Sequence, residues 1–289
     1  MEYTLKDTIE DRVRTLEKPT DVGLNSLGID TSRTYHKVMA VALSYSGIPL
    51  LSHVDPVQSA GYIVELGCGT GLFTRALYDQ LGNPIYAFDY SSGMLEVAKE
   101  HNDVEDIHFY LMDFDKDLDR VFDDNSVDCI VSNCALFTSS DKDKLIETCS
   151  RKLKQGGELA FSVPPMGASD LFESYLQLLS VRRYKGEPET VSIQEAEDNL
   201  EKAKSLTKLV CESFVQPGER YFSRSEHNVE EIKLDEPRLL NYLSALIMRS
   251  KNRDLKFRQA LARELYDKTI GAGIKPSFIH FHYIFNMKK

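Results

Sequence analysis

The sequence has no tryptophan, only seven histidines and only five cysteines, and each scarcity narrows what it can do. Cys68, Cys129, Cys134, Cys149 and Cys211 are odd in number and never spaced CxxC. A disulfide framework and a zinc site are therefore not expected; reduced, mostly packed thiols are. No apolar run approaches the roughly 18 residues that cross a bilayer, so no membrane partner is expected. The stretch MEYTLKDTIEDRVRTLEK is charged throughout and lacks the apolar core of a secretory leader, which leads to the expectation of a cytoplasmic protein. Positive charge is also short: 35 Lys and Arg against 45 Asp and Glu leave a net charge of −10. Nucleic acid, which selects a basic face, is a disfavoured partner. Internal repeats and low-complexity segments are missing too. What remains is 289 residues at 42% hydrophobic and 28% charged, enough for one large domain or a core with a helical addition.

Within that ordinary composition one stretch stands out. GYIVELGCGTGLFTRAL, from Gly61, places Gly67, Gly69 and Gly71 directly after a run of β-formers. Glycine is costly inside ordered structure, so this spacing predicts a turn held against something that side chains must not obstruct. From there a strand and helix rhythm sets in. YIVEL predicts a strand and LFTRALYDQL a helix, with Leu72, Phe73, Ala76, Leu77 and Leu81 at helical spacing. Ile85 to Phe88 predicts a second strand ending in Asp89, and Ser91 is placed to cap the next helix. IHFYLM predicts a third strand ending in Asp113, and VDCIVSN a fourth. Asp141 to Leu153 reads as a helix, Gly156-Gly157 as a stop, and ELAFSV as a fifth strand. Strands joined by helices of this length imply right-handed crossovers and a mostly parallel α/β sheet with helices on both faces. Such sheets bind ligands at the carboxyl ends of their strands. Gly67, Gly69, Gly71, Asp89, Asp113 and Asn133 all fall at such ends.

The details select among ligands. A dinucleotide fingerprint counted from Gly67 needs Gly or Ala at position 72, which is Leu72, so a nicotinamide dehydrogenase is disfavoured. A P-loop needs Gly-Lys-Ser/Thr, which is missing here. The pattern is an acid followed by GxGxG: Glu65, Gly67, Gly69, Gly71. Asp89, about twenty residues past the loop, is placed to take ribose hydroxyls. Asp113, one strand further, is placed to accept from an exocyclic amine. This describes a nucleoside with no phosphate to cradle. The bland reading of the glycines as a tight connection leaves the two strand-end aspartates unexplained. The run Asp113, Asp115, Asp117, Asp119, Asp123, Asp124 reads as a solvated acidic loop, and no metal site is expected.

In VELGCGTG, AFDYSSGML, LMDFDKDL, IVSNCAL and LKQGGELAFSV the sequence resembles the class I S-adenosylmethionine-dependent methyltransferases, small-molecule branch. The match covers roughly Gly61 to Val163 in family order and spacing. It implies a Rossmann-like, mostly parallel seven-stranded sheet with an added helical cap, and S-adenosylmethionine as cofactor with S-adenosylhomocysteine as product. By the resemblance, Gly67, Cys68, Gly69 and Gly71 pass beneath the methionine part, with Cys68 at a variable position, and Glu65 helps hold the amino end. Asp89 binds the ribose, Tyr90 and Met94 line the adenine pocket, Asp113 holds the adenine amine beside Phe114, and Asn133 borders the methionine. Metal-dependent catechol-type enzymes carry an acid where this chain has Ser132-Asn133, and the base- and glutamine-methylating enzymes carry (D/N)PP(Y/F) where it has SNCA. Both subclasses are disfavoured.

Residues outside the rhythm complete the expectation. TYHKVMAVALSYSG, LFESYLQLLSVRRYKG, VSIQEAEDNLEKAKSLTKLVCESF, EPRLLNYLSALIM and DLKFRQALARELYDKTIGAG read as helices. GERYFSRSEH and SFIHFHYIFNMK supply the last two strands, and VQPGER reads as a turn. The expected units are an amino-terminal helical cap over 1–58, a cofactor-binding core over 59–163, a helical insertion covering the active site over 164–219, and the rest of the core over 220–289. The expected activity is methyl transfer to an O, N or C nucleophile of a small molecule. The alternative is a fold that binds the cofactor without methylating, for cyclisation or ligand binding. No residue stands out as the base; Tyr35, His36 and His227 are the candidates, being in or near the expected roof.

Overall fold

The computed structural model describes residues 4–19, 29–55, 61–168, 170–233, 236, 237, 239, 240, 255–276 and 279–289. Two helices come first, α1 (Leu5–Arg14) and α2 (Ile29–Ser52). The alternating part follows as β1 (Ile63–Leu66), α3 (Leu72–Leu81), β2 (Ile85–Asp89), α4 (Ser92–His101), β3 (Ile107–Leu111), α5 (Phe114–Val121), β4 (Val127–Asn133), α6 (Lys142–Lys152) and β5 (Leu153–Val163). Then come α7 (Leu171–Lys185), α8 (Ile193–Tyr221), β6 (Arg224–Lys233), α9 (Leu255–Gly271) and β7 (Ile279–Lys288). The strands form a seven-stranded sheet in the order β3-β2-β1-β4-β5-β7-β6. Five are parallel, β7 runs antiparallel to β5, and β6 antiparallel to β7. This is the Rossmann-like, mostly parallel sheet expected.

Alternation along each strand divides the core into two layers. Val64, Leu66, Tyr86, Phe88, Ile130 and Phe161 face one side, covered by α1, α5, α6 and the second half of α8. Ile63, Ile85, Ala87, Cys129, Val131 and Ala160 face the other, covered by α2, α3 and α4. The period of two that separates adjacent side chains to opposite faces makes this division. Burying both faces explains why the inner strands read as continuous apolar runs. A third apolar cluster, with Phe172, Leu176, Leu179, Ala196, Leu261, Leu265 and Tyr266, joins α7, the start of α8 and α9.

Three local expectations are corrected. Most of the acidic run is helical: Asp115, Asp117 and Asp119 lie on α5, and Asp123 and Asp124 lie in the exposed turn that follows. Asp113 caps α5 by accepting the Asp115 N–H at 3.1 Å, Leu118 and Val121 are buried beneath it, and Arg120, Arg151 and Lys152 pair with Asp117, Asp119 and Asp124. Gly156-Gly157 does not stop the chain but lies inside β5, in an irregularity that moves the β4 register from Val127↔Leu153 to Cys129↔Glu158. A Cβ on Gly157 would lie 2.8 Å from the Lys154 carbonyl and 3.0 Å from that of Asp128, so close backbone approach requires glycine there. VQPGER is not a turn: α8 continues through Pro217 to Tyr221. Phe214, Pro217 and Gly218 are buried against the sheet, and that packing outweighs the one helical hydrogen bond proline cannot make.

The first segment follows the same logic of burial. A capping box between Thr4 and Asp7 starts α1, and Ile9 is buried in the first layer. The carboxyl end of α2 places Leu50 and Leu51 in the second layer, while its amino-terminal half reaches the carboxyl ends of the strands, next to α4.

Candidate cofactor and active site

The glycine loop leaves β1 and enters α3 with Gly67, Gly69 and Gly71 at φ +75°, +56° and +75°. All three occupy the left-handed region that residues with a Cβ rarely adopt. Their surroundings differ. A Cβ on Gly67 would lie 2.2 Å from the Ala135 Cβ, and one on Gly71 2.7 Å from the Asn102 amide and 3.1 Å from Phe109. A Cβ on Gly69 would meet none of the described residues within 4 Å. The outer glycines therefore serve packing, and no described residue closes over the central one. The Gly67 and Cys68 N–H groups both donate to the Phe88 carbonyl, at 2.8 and 3.0 Å, which ties the loop to β2. Cys68 is buried, and burial holds its thiol well above the ordinary value.

Glu65 lies fully buried in β1, on the face toward α3. Among the described residues neither of its carboxylate oxygens has a hydrogen-bond partner of good geometry. Burial pushes its carboxyl up to about 8, opposed by the nearby Thr74 hydroxyl and reinforced by the charge of Asp89. An acid of this kind is costly unless a cation or donor reaches it.

Asp89, at the end of β2, does two jobs in the fold. One oxygen accepts the Gly69 N–H at 2.7 Å and the other the Ser91 N–H at 2.8 Å. Burial raises its pKa, while these N–H bonds with that of Tyr90 lower it. The carboxylate thereby locks the loop to the start of α4, where Ser91 caps by accepting the Met94 N–H. Met94 is buried, and Tyr90 is partly exposed beside it. At the next strand end Asp113 pairs with Lys116 at 2.8 Å besides capping α5, and Phe114 packs on the first core layer. Phe114 also lines a cleft of about 260 Å³ between α5 and α6.

The end of β4 carries a feature that the spacing of motifs does not reveal. Cys134 has φ +54°, a left-handed conformation at a residue with a side chain. Fully buried Ser162, its neighbour on β5, donates to the Asn133 Oδ1 at 2.7 Å and accepts the Cys134 N–H at 3.0 Å. Ala135, next along, is the residue against Gly67. No sequence signal marks Ser162, which reads as one more residue of a buried strand.

The three candidate bases separate. Tyr35 on α2 lies near Asp89 and Cys134; burial and then those two charges push its phenol up to about 12, so it is a neutral hydroxyl. His36 stacks on His101 with ring centroids 4.0 Å apart, next to the Thr70 backbone of the loop. Burial and the His101 charge lower its pKa. His227 is exposed at mid-length on β6, where it pairs with Phe285, with β7, β5 and β4 between it and β1. The structure brings Tyr35 and His36 to the loop and leaves His227 away from it.

Residues 64–161 match the family model described as a methyltransferase domain. Over 125 residues the chain is 32% identical to malonyl-[acyl-carrier protein] O-methyltransferase 2 of Coxiella burnetii, a match covering 41% of this chain and 49% of that protein. Over 138 residues it is 33% identical to the arsenite methyltransferase of Aquipseudomonas alcaligenes, covering 39% and 40%. The matches thus span about half or less of the length of these curated relatives. Among solved structures, phosphoethanolamine N-methyltransferase 2 of Haemonchus contortus, in complex with phosphomonomethylethanolamine and S-adenosylhomocysteine, superposes with a TM-score of 0.54 at 20% identity. That superposition covers 99% of this chain and 60% of the other, a likeness of fold.

Proposed function

We propose that this chain, whose core is a class I S-adenosylmethionine-dependent methyltransferase domain, moves a methyl group from S-adenosylmethionine to an oxygen, nitrogen or carbon nucleophile of a small molecule. The observation that carries this reading is Glu65: a buried carboxylate for whose oxygens the described residues offer no hydrogen-bond partner, four residues before a glycine against which no described residue packs. Such a group fits the ammonium of the cofactor's methionine end. Each Asp89 oxygen accepts one backbone N–H and keeps further lone-pair capacity for ribose hydroxyls. Asp113 keeps the role of adenine partner in this reading, shared with its cap and with Lys116. Phe114, Tyr90 and Met94 supply the apolar and aromatic walls. Gly67 to Gly71 and Asn133 border the methionine.

When bound, the cofactor supplies a methyl already activated on a sulfonium. The protein's share is then alignment for in-line displacement and exclusion of water. Tyr35, neutral and close to Asp89 and Cys134, is placed to donate a hydrogen bond at the site but not to accept a proton near neutral pH. His36, kept neutral, is the better base of the two where an acceptor begins protonated. The relatives act on acceptors as different as an acyl carrier-bound malonyl group and arsenite, so the acceptor is chosen outside the shared core. In this reading the amino-terminal helices and the insertion after β5 provide that choice.

The test is isothermal calorimetry with S-adenosylmethionine and S-adenosylhomocysteine, followed by turnover of methyl-labelled cofactor against a panel of small acceptors. Micromolar binding and acceptor-dependent S-adenosylhomocysteine are expected. Binding without turnover on any acceptor would favour the non-methylating alternative, and no binding at millimolar cofactor would end the reading.

A further inference from the structure

We propose that Ser162 is a positioning residue for the cofactor loop, an inference that rests on the reading of that loop as the S-adenosylmethionine site. Ser162 touches no glycine of the loop itself. It acts through the turn at the end of β4.

The chain leaves β4 at Asn133 and reverses at Cys134, whose φ of +54° is a conformation that a residue with a Cβ holds only when its surroundings impose it. What imposes it is on β5. Ser162 stands opposite Asn133 in the parallel register. Its carbonyl and its hydroxyl both receive the Cys134 N–H, at 3.2 and 3.0 Å. Its hydroxyl proton goes to the Asn133 Oδ1 at 2.7 Å, and its Oγ lies 3.4 Å from the Cys134 Sγ. One buried hydroxyl thus holds both sides of the turn. It also orients the Asn133 amide: with Oδ1 on Ser162, the NH2 group lies on the opposite side of the planar amide.

The turn in turn holds the loop. Ala135 follows Cys134 and sits where a Cβ on Gly67 would be, 2.2 Å from it. With the Ala135 methyl group filling the place of that missing Cβ, Gly67 and Ala135 cannot move independently. A second buried hydroxyl, that of Ser132, donates to the Leu66 carbonyl at 2.7 Å and fastens β4 to the residue before Gly67. Gly67 is therefore located from two sides, by Ser132 on its own strand pair and by Ser162 through Cys134 and Ala135. Removing the Ser162 hydroxyl takes away one of the two Ser162 oxygens that accept the Cys134 N–H and lets the left-handed residue relax, which shifts Ala135 and the wall against Gly67.

The experiment measures S-adenosylhomocysteine affinity by calorimetry in wild type, Ser162→Ala, Ser162→Thr, Cys134→Gly and the Ser162→Ala/Cys134→Gly double variant. Ser162→Ala is expected to bind about tenfold more weakly, the scale of one buried hydrogen bond, while Ser162→Thr, which keeps the hydroxyl, stays within about threefold of wild type. Glycine adopts the left-handed turn without help, so in the Cys134→Gly background Ser162→Ala should cost less than about threefold. A general loss of packing would not depend on residue 134. Ser150→Ala, which removes another buried hydroxyl, at the end of α6 where it donates to the Tyr221 carbonyl, serves as the control and should leave affinity unchanged. Should Ser162→Ala fail to fold, the near-isosteric pair Ser162→Thr and Ser162→Val replaces it, with the same expected difference. Wild-type affinity in Ser162→Ala, or an equal loss with Cys and with Gly at position 134, overturns the proposal. Failure of the wild-type protein to bind S-adenosylhomocysteine overturns instead the reading of the loop.

Discussion

At the scale of single residues, the same side chains serve the fold and the proposed chemistry, so their substitutions carry two effects. Asp89→Ala removes both the ribose acceptor and the bonds to the Gly69 and Ser91 N–H groups. Cofactor affinity is expected to fall by roughly one to two orders of magnitude, about 1.5–3 kcal/mol for charge-assisted bonds. Calorimetry reporting unchanged affinity would remove the ribose assignment. The glycines separate by what faces them. Gly67→Ala forces a Cβ to within 2.2 Å of Ala135 and should lower the melting temperature as well as binding. Gly69→Val meets none of the described residues and should leave a folded chain by circular dichroism that no longer binds the cofactor. A Gly69→Val protein that binds normally would make the loop a turn and nothing more.

Glu65 gives the residue-scale pH dependence. Its folded-state carboxyl, at about 8, lies above the 4.5 of an unburied glutamate. Below pH 4.5 it is protonated in both states. Between 4.5 and 8 the unfolded chain releases the proton and the folded chain keeps it, so its contribution to stability is lost as pH rises through that window. The slope is at most roughly 1.4 kcal/mol per pH unit. Denaturant titrations of the unliganded protein should show this fall, and Glu65→Gln should flatten it while weakening the cofactor. Equal slopes in the two proteins would mean that Glu65 is ionised throughout.

At the scale of elements, α8 divides into two parts with different duties. Its first half packs with α7 and α9, through Ala196 and its neighbours. Its second half, with Phe214 stacked among Phe161 and Phe285, belongs to the sheet. Pro217 and Gly218 are buried within this half of α8, so little movement is expected at VQPGER. Movement of the cover is expected in α7, in the loop after it and in the amino-terminal half of α2. Hydrogen exchange with and without S-adenosylhomocysteine measures this. Residues 211–221 should match the central strands in protection in both states, and 170–192 should gain protection on binding. Equal, unchanging protection across both segments would leave no cover to close.

At the scale of the whole molecule, α7, α9 and the start of α8 form a unit with its own apolar core, tied by ion pairs of Arg183 with Glu189 and Glu264 and of Lys268 with the same two acids. The Arg183 hydrogen bond, then that of Lys268, holds the Glu264 carboxyl down at about 2. A depressed carboxyl contributes stability that is present above 4.5 and lost as pH falls toward 2. Because Glu264 is 46% exposed, solvent screening keeps the contribution small. The α7 unit should accordingly loosen in acid before the sheet does, read by hydrogen exchange at pH 3, and Glu264→Gln should remove part of that difference. Sheet and α7 unit losing protection together would show that the ion pairs do not set the order.

The amino-acid sequence by itself determined the βα order, the boundaries of α3 and β4, the Ser91 cap and the strand-end positions of Asp89 and Asn133. Those features are local: apolar periodicity, capping chemistry and glycine spacing act within a few residues, and the chain carries them before it folds. Tertiary structure decided what depends on contacts between distant residues. The Gly69 N–H reaches Asp89 across the loop, Pro217 stays helical because the sheet buries it, and Asp119 and Asp124 find Arg151 and Lys152 on α6. His227 falls away from the loop because β6 adds at the far edge, and Ser162 meets Cys134 because β5 aligns beside β4. In each case the deciding partner lies tens of residues away, where burial and close approach decide conformation and no local pattern records the outcome.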